Sequence, residues 1–156
     1  MTNTEEQRKL FWELFDEILL ENGEPFKISY QNKRNEIKHN GAVNKHFTNT
    51  PSGTAIDLGF NLRKGVFRVN FYIPDLNIDL KNKLLANKEQ INSMITLPLL
   101  WENGEKNELV LRPSVYFNFI QNDVDDYRRV IEESLPTIME FINIANKYGK
   151  NEFFDF

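Results

Sequence analysis

The chain of 156 residues has no cysteine and only two histidines, His39 and His46. The missing thiols exclude disulfide bonds, thiolate zinc sites and a cysteine nucleophile within this sequence. Their absence fits a reducing compartment, and the chain starts with polar and acidic residues in place of an apolar leader, so we expect a cytoplasmic protein. Long apolar runs are also missing. The stretch 97–101 is far too short to cross a bilayer, and we expect no membrane association.

Recognisable catalytic patterns are missing as well. The seven glycines form no glycine-rich phosphate loop, and no serine stands in a G-x-S-x-G nucleophile turn. A metal site at His39 and His46 would need carboxylates from elsewhere in the chain. We therefore expect no catalytic residue, no metal and no cofactor. One alternative stays open, because Glu36 and Lys38 form an E-x-K tripeptide of the kind found in Mg²⁺-dependent nucleases. The strand pattern that such a site needs is not seen there.

Apolar residues make up 40% of the chain and include 13 phenylalanines, which is enough material for one buried core. No internal repeat or linker divides the sequence, so we expect a single domain over 1–156. Segments of helical and of strand periodicity follow in a mixed order. The predicted fold class is α+β, with an antiparallel sheet of about six to seven strands packed by N-terminal, central and C-terminal helices.

Three segments carry apolar residues at helical spacing. The first opens on Thr4–Gln7, which has the spacing of a capping box. The second is expected as one helix over 75–96. The third begins in the cap-rich stretch 122–126, and Pro136 predicts a kink or a break within it.

Alternating apolar residues predict a first hairpin from the segments 56–60 and 67–73. The apolar residues are even-numbered in the first segment and odd-numbered in the second. They share one face of the sheet only if each even-numbered residue lies directly opposite an odd-numbered one, as Leu58 would lie opposite Val69. Asp57 and Arg68 then share the other face, where a cross-strand surface ion pair is the simplest interpretation.

A second hairpin is predicted at Asn103-Gly104, the favoured pair for a two-residue type I′ turn. That turn would place Trp101 opposite Lys106. Apolar residues lie on both faces of these strands, so we expect the strands to be internal to the sheet.

Positive charge is concentrated in the middle of the chain, where residues 25–75 carry a net charge of +5 between acidic ends. The densest basic run lies within 33–46, and its cations are Lys33, Arg34, Lys38 and Lys45. Such a run can contact phosphates, while Tyr30 and Phe47 beside it could stack on unpaired bases. A solvated loop is the competing interpretation, and a pI of 5.3 for the whole chain argues against a dedicated nucleic-acid binder.

The C-terminal residues 151–156 contain three aromatic rings, those of Phe153, Phe154 and Phe156. Three exposed rings are costly to leave in water. We therefore expect at least two of them to pack, either on their own chain or on a partner or second copy.

Several short segments resemble a known family. Phe11-Trp12, Pro25-Phe26, the strand 67–73 and the segment 99–102 resemble the prokaryotic family catalogued as domain of unknown function 4268, over roughly residues 8–148. Members stand alone or are attached to nuclease-like or restriction-associated regions, which implies an accessory role near DNA. The resemblance carries over no catalytic residue.

The leading functional prediction is a non-catalytic protein-interaction or regulatory module, accessory to a nucleic-acid-handling or restriction/defence system. Its partner would be another protein or a second copy of the chain. The first alternative is weak nucleic-acid binding through the region 33–46. The second alternative is a Mg²⁺-dependent nuclease that uses Glu36 and Lys38.

Overall fold

The computed structural model describes residues 4–22, 28–30, 42–47 and 55–149, with side chains for 4–22 and 56–149. The helices in these ranges are α1 (Thr4–Glu21), α2 (Ile78–Ala86), α3 (Lys88–Met94) and α4 (Val124–Tyr148). The strands are β1 (Ile28–Tyr30), β2 (Ala42–Phe47), β3 (Ala55–Asn61), β4 (Val66–Ile73), β5 (Leu99–Asn103), β6 (Leu109–Pro113) and β7 (Phe117–Asn118).

The strands pair antiparallel in the order β1-β2-β3-β4-β6-β5, and β7 also pairs with β4. This arrangement confirms the α+β class and the antiparallel sheet. The continuous stretch 55–149 holds five of the strands, β3 to β7, so the expected number of six to seven is not confirmed there. The backbones of β1 and β2 extend the pairing from β3.

Helices α1 and α4 contact each other and pack against one face of the sheet. The ring of Phe11 in α1 stacks on Phe60 of β3, with 4.1 Å between the ring centroids. Tyr127 of α4 meets Phe60 edge-on at 5.5 Å, and Phe141 packs near Phe71 of β4 at 5.9 Å. Each fully buried ring contributes roughly 1.5–3 kcal/mol, and each well-placed pair adds about 0.5–1.5 kcal/mol. This aromatic layer therefore fixes which sheet face is the core.

The first hairpin has the predicted parity. Leu58 lies opposite Val69, and the odd-numbered residues of β4 are buried while the even-numbered ones are half-buried. Asp57 and Arg68 form the expected ion pair on the other face, with 3.1 Å between Oδ2 and Nη2. Trp12 packs edge-on against Phe67 of β4. Alternation of apolar residues thus determined the pairing here.

The central helix is not continuous, which corrects the prediction of one helix over 75–96. Asn87 separates α2 from α3: its N–H donates to the C=O of Leu84, and its side chain donates to the C=O of Lys83 at 2.7 Å. An asparagine that bonds the backbone in this way competes with helix continuation. Within α2, Leu80 and Leu84 are buried, whereas Leu85 is 43% exposed.

The second hairpin differs from the prediction in both turn and register. Asn103 lies opposite Leu109, and Trp101 lies opposite Leu111 instead of Lys106. The connection therefore spans five residues, 104–108, and is closed by a hydrogen bond from the N–H of Gly104 to the C=O of Glu108. Strand β5 is the last strand at its end of the described sheet, so the expectation that both strands are internal is wrong.

Two expectations about helix ends and breaks also need correction. Gln7 is buried and accepts a hydrogen bond from the hydroxyl of Tyr127, so it does not complete a capping box with Thr4. Helix α4 continues through Pro136, whose side chain is exposed, so the break that was one of the two expected outcomes does not occur. Buried residues on both sides of the proline, including Leu135 and Ile138, hold the helix on the sheet. Among the described helices, none is long and apolar enough to cross a membrane.

Candidate interaction groove

Most of the site residues predicted from sequence lie outside the described residues. These are Lys33, Arg34, Lys38, the tripeptide residue Glu36, and the tail residues Phe153, Phe154 and Phe156. Lys45 is described only through its backbone in β2, where it lies opposite Leu58 of β3. Nucleic-acid binding through the basic region and packing of the tail therefore stay predictions from sequence.

The described part of the chain contains a different feature, an interruption between β4 and its neighbours β6 and β7. Phe71 of β4 lies opposite Leu111, and Phe67 lies opposite Phe117. Three residues of β4, 68–70, therefore face five residues, 112–116, on the other side. A strand with extra residues bends away from its partner, which is the geometry of a β-bulge. The sheet opens at this point.

The sequence explains why the interruption forms here. Pro113 has no N–H to donate and ends β6 opposite Leu99. The next residue, Ser114, donates its N–H to the C=O of Pro98 at 2.8 Å, which draws the chain toward β5 and away from β4. Beyond the interruption, the N–H of Phe119 donates to the C=O of Gly65 at 2.9 Å. The chain thus leaves β4 at one fixed point and returns to it at another.

A cavity of about 470 Å³ lies over this interruption, and we call it the bulge groove. Its lining includes Lys64, Arg68, Asn70, Arg112, Val115 and Tyr116. The even-numbered residues of β4 reach it from the face opposite the aromatic core. Buried residues such as Val69 line its floor.

Cationic side chains line the bulge groove. They belong to Lys64, Arg68 and Arg112, whereas none of its described lining residues is acidic. Two of the three cations, Arg68 and Arg112, also form ion pairs with carboxylates that lie outside the lining. A recess lined by N–H donors of this kind can bind an anionic group.

The two arginines are held in place by carboxylates outside the groove lining. The guanidinium of Arg68 pairs with Asp57 and lies over Gly59, where a Cβ would come within 2.7 Å of Nη2. Arg112 pairs through Nε with Glu102. The hydrogen bond to Glu102 is the main reason that the pKa of Arg112 is raised, and a hydrogen bond to Tyr116 adds to it. Both side chains are therefore pre-positioned for a ligand.

Exposed apolar surface lies beside these cations. Tyr116 is 65% exposed and its neighbour Val115 is 48% exposed. Strand alternation alone would place Val115 on the same face as Phe117 and Phe119, but those two are buried and Val115 is exposed at the interruption. An aromatic ring next to guanidinium groups can take up both apolar and charged parts of a ligand.

The groove offers cations, amides and a phenol, and among its described lining residues it offers no carboxylate or histidine as a general base. Within the described ranges, no group of three or more metal-ligating side chains occurs. The chemistry that this arrangement can perform is recognition of an anionic group next to an apolar one.

No family model, curated protein or solved structure matches the chain. The resemblance to the family described above therefore stays a prediction.

Among the cations of the groove, the sequence patterns identified Arg68 alone, as a member of a surface ion pair. The available signal for the groove was the Pro113-Ser114 step directly after the apolar segment 109–111, because a proline there removes a ladder hydrogen bond. The Pro113-Ser114 step does not show which strand the chain leaves, nor how many more residues it has than the β4 segment that it faces.

Proposed function

We propose that this chain is a non-catalytic protein-interaction module and that the bulge groove is its binding surface. The observation that carries the proposal is a recess formed by a sheet interruption, lined by pre-positioned cations and flanked by exposed apolar side chains. Bulges next to functional sites commonly re-aim side chains, as this one does with Val115 and Tyr116. A role beside a nucleic-acid-handling or restriction/defence system is a further prediction that rests on the family resemblance alone.

The structure of the groove favours binding in two ways. Arg68 and Arg112 are already held by Asp57 and Glu102, so little side-chain entropy is lost when a ligand arrives. Tyr116, exposed and aromatic, is of the residue type that most often supplies binding energy at protein interfaces. Among the described residues that line it, the recess has three cations, whereas a nucleic-acid surface follows the phosphate backbone over many contacts.

Affinity capture with matched variants tests this proposal. The bait would be the full chain as wild type, as Tyr116→Ala and as Ile120→Ala, in extracts of the source organism. Tyr116 and Ile120 are 65% and 63% exposed, and Ile120 does not line the groove. We expect a partner polypeptide, or a second copy of the chain, that is retained by wild type and Ile120→Ala and lost by Tyr116→Ala.

Recovery of the same polypeptides by all three baits would contradict the proposal. So would a wild-type chain that retains nothing and whose mass by light scattering is that of a monomer.

A further inference from the structure

We infer that the bulge groove recognises an extended acidic peptide segment that carries an aromatic side chain among its carboxylates. This inference rests on the proposed function and specifies the chemistry of the partner.

The charges that line the groove favour an acidic ligand over a basic one. Lys64, Arg68 and Arg112 line it and no described lining residue is acidic. Arg68 and Arg112 each pair with one carboxylate outside the lining, so a ligand's carboxylates would bind at Lys64 and at the remaining N–H donors of the arginines. Lys64 is exposed, and its ammonium group has no ion pair within the described ranges. Arg112 donates a hydrogen bond from Nε to Glu102. A guanidinium has five N–H donors, so the remaining ones can donate to a second carboxylate.

Apolar side chains lie next to these cations. Tyr116 and Val115 present exposed surface at the rim, and Val66 is half-buried beside them. A ligand that carried charges alone would leave this surface in water. An aromatic side chain next to the carboxylates would cover Tyr116 by offset or edge-on stacking while its flanking charges reach the cations.

Backbone groups of β4 lie at the floor of the groove. The N–H of Phe119 donates to the C=O of Gly65, so by strand alternation the odd-numbered residues of β4 direct their N–H and C=O toward β6 and β7. Phe67 and Phe71 have opposing residues there, but Val69 between them has none in the described register. Val69 thus points one donor and one acceptor into the interruption.

A donor next to an acceptor distinguishes two classes of ligand. A peptide backbone offers the matching C=O and N–H, as in recognition modes in which an extended segment pairs with a strand. A phosphodiester backbone offers acceptors only. The floor of the groove therefore favours an acidic peptide over a single-stranded nucleic acid, although both would be drawn by Lys64, Arg68 and Arg112.

Fluorescence anisotropy with defined probes tests the inference. The first probe is the fluorescein-labelled peptide Gly-Asp-Glu-Phe-Asp-Glu-Gly with blocked ends. Its controls are the neutral analogue Gly-Asn-Gln-Phe-Asn-Gln-Gly, the analogue with alanine for phenylalanine, and a short oligothymidylate. Each is titrated with the full chain at several concentrations of sodium chloride.

We expect the acidic peptide to bind at least about tenfold more tightly than either peptide control, with an affinity that falls as salt is added. Arg112→Gln should weaken binding by about tenfold, since a hydrogen bond to a charged group is lost. Lys64→Gln should weaken it severalfold. The adjacent cation Arg63, on the same turn but outside the groove lining, supplies the control Arg63→Gln, which should stay within about twofold of wild type.

Three results would overturn the inference: equal binding of the acidic and neutral peptides, an equal loss in Arg63→Gln and Lys64→Gln, or tighter binding of oligothymidylate. If Arg112→Gln does not fold, as judged by circular dichroism, the variants at the exposed residues Lys64 and Tyr116 decide the outcome. If none of the peptides binds but affinity capture of a polypeptide still depends on Tyr116, the inferred acidic peptide is wrong and the proposed function is retained.

Discussion

We expect the same substitution, glycine to alanine, to have very different effects on stability at two positions of the hairpin β3–β4. Gly65 has a φ of +64°, and a Cβ there would lie 2.8 Å from the backbone oxygen of Phe119. That oxygen cannot move freely, because the N–H of Phe119 donates to the C=O of Gly65. The left-handed conformation costs an L-residue about 1–2 kcal/mol, and overpacking costs roughly 1–3 kcal/mol. We expect Gly65→Ala to lower the free energy of unfolding by about 3 kcal/mol.

Gly59→Ala should be nearly neutral. Its Cβ would approach the guanidinium of Arg68, the far end of a flexible side chain that can move away. Losing the ion pair with Asp57 costs at most about 1 kcal/mol at such exposure, while alanine in place of glycine in a strand returns about 0.5–1 kcal/mol. The free energy of unfolding should therefore stay within about 1 kcal/mol of wild type.

Urea unfolding followed by far-UV circular dichroism measures both variants against wild type. The two glycines belong to one hairpin, so effects on the unfolded chain are similar and largely cancel in the comparison. Equal losses in the two variants, or a larger loss in Gly59→Ala, would refute the reasoning. One end of the bulge groove depends on the contact between β7 and β4. That contact would then not be explained by the close approach of Phe119 to Gly65.

Further predictions concern buried polar contacts, acid stability and the C-terminus. Tyr127→Phe should lower the free energy of unfolding in urea by about 1–3 kcal/mol, because Gln7 loses its buried donor; an unchanged value would contradict this. Hydrogen bonds from Arg129 hold the pKa of Asp126 below its usual value, so its contribution is present above the unfolded pKa of about 3.9 and is lost as pH falls through the lower folded pKa. Asp126→Asn should therefore be less stable than wild type in urea at neutral pH and equally stable in strong acid, whereas a pH-independent difference would argue against this contact. Deleting residues 151–156 should lower the melting temperature or dissociate a dimer, and a truncated chain with unchanged melting temperature and mass would show that the tail prediction is wrong.

The first hairpin could be predicted because a period of two and a buried face leave one parity for the pairing. The second hairpin could not be predicted, because the local turn preference and the burial of the strands favour different registers. The Asn103-Gly104 turn would have put Trp101 opposite Lys106. The observed register puts Trp101 opposite Leu111, which is fully buried. Burial of the strand determined the register, and the loop lengthened to accommodate it.

The bulge groove depends on a relation between distant segments that no local pattern contains. It arises because 68–70 face 112–116, and this mismatch follows from where β6 and β7 each pair with β4. Pro113 marks the place where pairing stops but not the partner that it leaves. The position of Tyr116 at the rim therefore cannot be predicted from the residues on either side of it.

Site-specific photocrosslinking tests most directly whether the bulge groove is an interaction surface. A benzoylphenylalanine in place of Tyr116, and in a control chain in place of Ile120, would be irradiated in living cells of the source organism. If the groove is the interaction surface, we expect a covalent adduct with a discrete polypeptide from position 116 and none from position 120. The same adduct from both positions, or none from position 116 while the chain is folded and abundant, would contradict it.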